Sequence, residues 1–378
     1  MVTVLRWAVV GLLVVHALIH LLGAVKGFGL ATVERLKEPV GAVAGAGWLL
    51  AAALVLTAAV MIAFGAPTWW WAVAGGAAVV SQIMIVTSWS DARAGTVPNV
   101  ILLIAAVIGF GSSGPASLRA AHSERVRELV AAAPAPEGIV SEADLAGLPA
   151  PVARYVRRSG AIGRPRVTGF TATFHGRIRS DADSAWMSFT GRQLNAFGSE
   201  PQRLFLISAT RAGLPVTVFH DYHAGTATMR GRLIGLVPII DASGPEMDRS
   251  ETVTVLNDIV VFAPAAIVDA PIDWTAVDDT HVRARYRAGG HTVQAELVFD
   301  GDGDLVDFVS DDRSRASGDG SSFTQARWST PLGEYRETHG RRWATGGEGR
   351  WSGDGDEFAY ITFTVEDVVV NPWEDDGL

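Results

Sequence analysis

Four apolar runs crowd the first 115 residues: Trp7 to Val25, Val40 to Phe64, Trp69 to Trp89, and Val97 to Gly111. A helix crosses a hydrocarbon core of about 30 Å with about 17 to 25 residues at about 1.5 Å each. The first three runs meet that length, and the fourth does so if it continues to Ser117. A cleaved signal peptide accounts only for the first, because three more follow, so four retained membrane helices are expected. Trp69, Trp70, Trp71 and Trp89 bracket the third run, where indole rings prefer the headgroup layer. Arg6, Lys26, Arg35, Lys37 and Arg93 oppose only Glu34, Glu38 and Asp91 in this stretch, while the whole chain carries a formal charge of -9. The expected division is therefore a four-helix transmembrane domain over 1–115, a helical linker over 116–147, and a β domain over 148–378. An even number of spans puts the β domain on the side of Met1. Basic residues flank the spans almost equally on both faces, so charge does not orient the protein.

Only 19% of the residues are charged and the net charge is negative, which excludes a general phosphate-collecting surface and with it a nucleic-acid partner. The chain has no cysteine, which excludes disulfides, thiolate metal sites, cysteine nucleophiles and lipoprotein anchoring. Neither a Gly-x-Ser-x-Gly elbow nor a Gly-rich phosphate loop with lysine occurs. No catalytic residue, metal or cofactor is therefore expected.

Beyond the spans, a charged helix over Ser117 to about Pro136 and a short helix over Pro149 to Ser159 precede a change of period. Alternation of apolar and polar residues marks strands at Val167 to Ile178, Trp186 to Leu194, Arg203 to Ile207, Val216 to Tyr222 and Thr226 to Leu233. It resumes at His281 to Tyr286, His291 to Phe299, Leu305 to Ser310, Phe323 to Trp328, Arg341 to Trp351 and Ala359 to Val369. Turns such as Ala288-Gly289-Gly290, Asp302-Gly303-Asp304 and Ser352-Gly353-Asp354-Gly355 punctuate them. These strands predict one meandering antiparallel sheet, strongly curved into a half-barrel. Between them, Val253, Leu256, Ile259 or Val260, and Ala263 recur at helical spacing, so one or two helices over Ser250 to Ile267 should cover the concave face.

Several residue sets are candidates for function. His16 and His20 stand one turn apart in the first span, and a buried ionisable group in a membrane needs a partner or a task. With Gln82 of the third span they form the expected membrane site, read either as hydrogen bonding between helices or as a redox, quinone or metal centre. His220, Tyr222, His223 and Glu246 form an expected polar rim, with His220 and Tyr222 on the opposite strand face from Asp221 and His223. Asp300, Asp302 and Asp304 alternate like calcium ligands, but Leu305 and Asp311 stand where such a loop wants glycine and glutamate, so a hairpin turn is expected. The expected ligand-facing apolar set is Trp186, Phe189, Phe205, Leu256, Phe262, Trp274, Trp328 and Trp343. Buried apolar surface stabilises a bound chain by about 25 cal/mol per Å², without any specific hydrogen bond.

The chain resembles an uncharacterised family of bacterial membrane proteins with four N-terminal transmembrane helices and a C-terminal β domain. The segments that carry the resemblance are LPAPVARYVRRSG at Leu148 to Gly160, WMSFTGRQ at Trp186 to Gln193, and HDYHAGTATMRGRLIGLVPIIDASGPEMDRSE at His220 to Glu251. To these are added WTAVDD, FDGDGDL and GEYRETHGRRW, and in the membrane half HALIHLLGAVKGF and WSDARAGTVPNVILL. The chain departs from the family at Leu256-Asn257-Asp258, where Leu-Ala-Glu is usual. The β domain is similar in pattern to the LolA-like lipoprotein-carrier half-barrel. That resemblance implies an apolar cavity for acyl chains, a membrane lipid or lipid-like ligand as partner, and a multi-pass cell-membrane protein with its β domain outside the cytoplasm. A protein-interaction module of the cell envelope is the blander alternative, with no cavity in its core.

Overall fold

The computed structural model describes residues 2–65, 67–338, 340–353 and 357–374. The chain forms two compact units, Met1–Ala120 with Ile234–Leu236, and Ala121–Leu233 with Val237–Leu378.

The first unit is helical: α1 (Val2–Gly27), α2 (Ala42–Phe64), α3 (Trp70–Thr87), the short α4 (Trp89–Ala92) and α5 (Thr96–Ser113). Four helical stretches are long and apolar enough to cross a membrane, Arg6–Gly27, Ala42–Phe64, Trp70–Thr87 and one within Trp89–Ala132. Small residues face inward, with Ala51, Ala58, Ala59, Ala74 and Ala77 fully buried, while Leu18, Ile19, Val60, Ile83 and Ile104 point outward. Water would select the reverse arrangement, whereas in lipid close backbone approach between small residues drives helix packing. Gly27 and Gly45 show that approach directly, since a Cβ on either would press into the other's backbone.

The second unit begins with α6 (Leu118–Ala132), whose Arg125 binds Asp221 and Gln202, and α7 (Ala150–Arg158). Six strands then run as a meander: β1 (Gly169–Ile178), β2 (Met187–Ala196), β3 (Gln202–Arg211), β4 (Leu214–His223), β5 (Thr226–Leu233) and β6 (Val237–Ser243). After α8 (Pro245–Phe262) come β7 (Ile272–Ala276), β8 (His281–Ala288), β9 (His291–Phe299) and β10 (Leu305–Ser310). The chain continues through β11 (Ser314–Ala316), β12 (Phe323–Gln325), β13 (Arg327–Ser329), β14 (Tyr335–Thr338), β15 (Arg341–Ala344), β16 (Gly346–Ser352) and β17 (Phe358–Val370).

Thirteen strands form one antiparallel sheet in the order β6-β5-β4-β3-β2-β1-β17-β16-β13-β10-β9-β8-β7, and the other four make two ribbons, β11-β12 and β14-β15. The sheet is therefore two meandering wings joined where β1 pairs with β17, Phe170 opposite Val370. It stays open at β6 and β7, yet it curls. The β4-β5 turn of one wing meets the β8-β9 turn of the other, where His291 Nε2 lies 3.1 Å from the Gly225 carbonyl oxygen. Gly225 and Gly289 both have positive φ (77° and 56°), and a Cβ on either would strike the other's backbone. Only glycine combines that backbone with that contact.

Three expectations need correction. Strands β6, β7, β11 and β14 lie outside the expected ones, because Pro238 in β6 and the brevity of the other three hide the alternation. Arg341 to Trp351 is two strands, β15 and β16, broken at Thr345, and Phe323 to Trp328 is likewise split at Ala326 into β12 of a ribbon and β13 of the main sheet. The helix does not merely cover the concave face: from Ser250 to Phe262 every residue of α8 is buried, charged ones included, because strands and ribbons surround it. The expected turn at Ser352-Gly353-Asp354-Gly355 falls partly outside the described residues. The Asp302-Gly303-Asp304 turn joins β9 to β10, and Asp304 accepts hydrogen bonds from Arg158 at 2.8 Å and Arg342 at 2.5 Å.

Asp307 on β10 yields a pH prediction. Burial pushes its carboxyl up to about 6. A raised acid is most easily accommodated below its ordinary value, and stability falls as pH rises toward the raised one. Asp307→Asn is expected to remove this loss, gaining about 1–2 kcal/mol at pH 7 after allowance for partial exposure. Denaturant midpoints of wild type and variant, compared at about pH 4 and about pH 7.5, check it; equal midpoints at the higher pH would show no such penalty.

Candidate functional site

Beneath α8 the curved sheet encloses a cleft of about 120 Å³. Strand alternation supplies its walls: Phe174 and Ile178 from β1, Phe189 and Gln193 from β2, Arg203, Phe205 and Ile207 from β3, and His220 from β4. Tyr360, Ile361 and Phe363 come from β17, and Glu251, Thr254, Asn257, Asp258 and Phe262 from α8. The aromatic rings meet edge to face, with Phe174 5.4 Å from Phe262, 5.9 Å from Phe205 and 6.0 Å from Phe363 between centroids. Gly191 permits this layout, because a Cβ there would lie 2.7 Å from the Phe205 ring.

A buried charge cluster lies against this aromatic wall. Asp258 Oδ2 accepts from Arg203 Nε at 2.8 Å, Gln193 Nε2 at 2.8 Å and Asn195 Nδ2 at 2.9 Å. Arg203 Nη1 donates to Glu251 Oε2 at 2.8 Å, and Arg313 Nη2 reaches Glu251 Oε1 at 3.4 Å. Burial alone would raise the Glu251 carboxyl, but Arg203, His220 and Arg313 together hold it well below the usual carboxylate range. Burial pushes Asp258 above that range, against the pull of Arg203 and the two amides. Arg313 stacks over Trp328 at 4.2 Å, and its Nε and Nη1 are buried without a hydrogen-bond partner, while Nδ1 of His220 has only the long 3.8 Å contact to Glu251 Oε1. Unsatisfied donors beside a cavity invite an acceptor from a ligand or water.

Of the residues expected to face a ligand, Phe189, Phe205, Phe262 and Trp328 line this cleft and Leu256, Trp186, Trp274 and Trp343 do not. Leu256 is fully buried in the core, on another side of α8. Trp186 is stacked under Arg179 at 4.5 Å, Trp274 sits on the edge strand β7, and Trp343 lies half-buried in the β14-β15 ribbon. Of the polar rim, His220 lines the cleft. Tyr222 is buried elsewhere, its hydroxyl 3.0 Å from Thr252 Oγ1, while His223 and Glu246 are exposed. The expected site residues do not include Arg203, Glu251, Asp258 or Arg313. Their one legible signal was the pair of carboxylates inside an apolar helical run, Glu251 and Asp258, seven residues apart and so two turns along one face.

In the helical unit, His16 and His20 are buried and adjoin Ser81, while Gln82 is linked to His16 only through Asn99. Among the described residues no group of three or more His, Asp or Glu side chains is arranged to hold a metal ion.

No curated protein matches the chain in sequence. In structure it is similar to a LolA superfamily protein from Nitrosomonas europaea, at 10% identity over 59% of this chain and 97% of that one, with a TM-score of 0.30. It is also similar to a DUF1329 family protein from Desulfovibrio piger, at 13% identity over 61% of this chain and 93% of that one, with a TM-score of 0.34. Residues 138–363, from ahead of α7 into β17, match DUF6544, a family of unknown function, and the chain belongs to that family.

Proposed function

We propose that the β domain binds an apolar or amphipathic ligand, such as a lipid or acyl chain, in the cleft beneath α8. The apolar helices of residues 1–115 hold the protein in the cell membrane, and the β domain of residues 148–378 works outside the cytoplasm. The observation that carries this reading is the aromatic cleft itself: Phe174, Phe189, Phe205, Phe262 and Phe363 leave space that no side chain fills. Each methylene buried there gains about 0.8 kcal/mol. A cavity of about 150 Å³ holds one benzene ring, so the space seen admits the end of a chain. Arg313 and His220 offer hydrogen bonds to a polar group at the same end.

The test uses full-length protein in nanodiscs and a photoreactive fatty acid, with the crosslinked peptides mapped by mass spectrometry. Labels are expected on peptides that hold Phe174, Phe189, Phe205 or Thr254 to Phe262. Labelling confined to residues 1–115 would overturn the reading.

A further inference from the structure

We infer that the helical unit carries a second binding site, for a membrane-soluble ring compound with oxygen substituents, of the quinone class. A cavity of about 390 Å³ lies among its helices, lined by His16, His20 and Trp48 and by Leu12, Val15 and Ile19. That volume is within the range of small-molecule sites, and the lining is mostly apolar with a few polar groups, as such sites require. Leu12, Val15 and Ile19 also point outward from α1, so one wall of the cavity faces the hydrocarbon.

The polar groups have a definite direction. His20 Nδ1 lies 2.8 Å from the His16 carbonyl oxygen, which only accepts, so Nδ1 carries the proton of the neutral ring. Its Nε2 then accepts from Ser81 Oγ at 2.7 Å. Asn99 Oδ1 lies 2.8 Å from Ser81 Oγ and 3.0 Å from His16 Nε2, which is itself 3.2 Å from Ser81 Oγ. Asn99 Nδ2 donates onward to Gln82 Oε1 at 3.0 Å, and Gln82 Nε2 to Thr96 Oγ1 at 3.2 Å. Nδ1 of His16 takes no part in this network. A donor completes the set: Nε1 of Trp48 is buried with no hydrogen-bond partner.

Geometry selects the shape of the guest. The rings of His16 and His20 meet edge to face at 4.3 Å, and those of His20 and Trp48 at 5.1 Å, a rigid aromatic wall suited to a planar head. Gly95 keeps the space beside it open, since a Cβ there would lie 2.8 Å from Ile85 Cδ1 and 3.1 Å from His16 Cε1. One ring oxygen accepts from Trp48, the opposite one meets Nδ1 of His16, and an apolar tail leaves past Val15 and Ile19.

The experiment is equilibrium binding of a labelled short-tail benzoquinone to the full chain in nanodiscs, against protein-free nanodiscs and against an alkylbenzene with the same tail. Saturable binding is expected, at least about tenfold tighter than that of the alkylbenzene. Trp48→Phe, which keeps an aromatic ring and removes the donor, is expected to weaken the quinone about fivefold. Gly95→Leu is expected to weaken both probes alike by filling the space. Uptake no greater than that of empty nanodiscs, or equal affinity for quinone and alkylbenzene, overturns the inference even if neither variant folds. Neither result bears on the β-domain cleft, which the crosslink map reads separately.

Discussion

Arg203→Met is expected to destabilise the β domain by about 3–5 kcal/mol, the usual cost of leaving buried charges without their partner. Arg203 is the cation that Glu251 and Asp258 share, and all three side chains are less than a tenth exposed. Its removal leaves Asp258 with only the amides of Gln193 and Asn195, and Glu251 with the weaker contacts to Arg313 and His220. The expectation has a second half. Neutralising the carboxylates as well, with Glu251→Gln and Asp258→Asn beside Arg203→Met, should recover most of the loss, because the penalty comes from unpaired charge and not from lost packing. Denaturant unfolding of the three proteins measures both halves. A loss below about 1 kcal/mol for the single variant would mean that water reaches the cluster. Failure of the triple variant to recover would assign the loss to Arg203's packing against Phe205, 5.1 Å beneath its guanidinium.

The second large effect is expected at Thr254. Its side chain faces the cleft from the middle of α8, and its hydroxyl bonds only back to the Ser250 carbonyl of its own helix. Thr254→Phe puts a ring into the space proposed for the ligand while leaving the charge cluster intact. Photoreactive fatty acid should then label the β domain at least about tenfold less, at an overpacking cost of about 1–3 kcal/mol in stability. Unchanged labelling with an unchanged peptide map would place the acyl chain elsewhere on the domain and sink the cleft as its seat. Labelling by a quinone probe in the helical unit should not move, which separates a local block from general misfolding.

The apolar helices, most strands and α8 were legible because each is a matter of period. Alternation over His291 to Phe299 can only bury one face of a strand, and the spacing of Val253, Leu256 and Ile259 can only bury one face of a helix. What misled was the step from one face to one environment. Every side of α8 is covered, so polar Asn257 and charged Asp258 are as buried as Leu256. Aromatic content misled in the same way. Trp186 and Trp274 read as candidates for a greasy interior, and cation stacking and an edge strand took them instead.

The sequence by itself determined an apolar helical half with helices long enough to cross a membrane, an antiparallel β half and one helix between its strands, because backbone geometry imposes periods of 3.6 and 2 residue by residue. The tertiary structure alone decided that β1 closes on β17, that Gly225 meets Gly289, and that Arg203 falls between Glu251 and Asp258. Those encounters join residues from 48 to about 200 positions apart. They depend on how the whole sheet curls around α8, which no local pattern encodes.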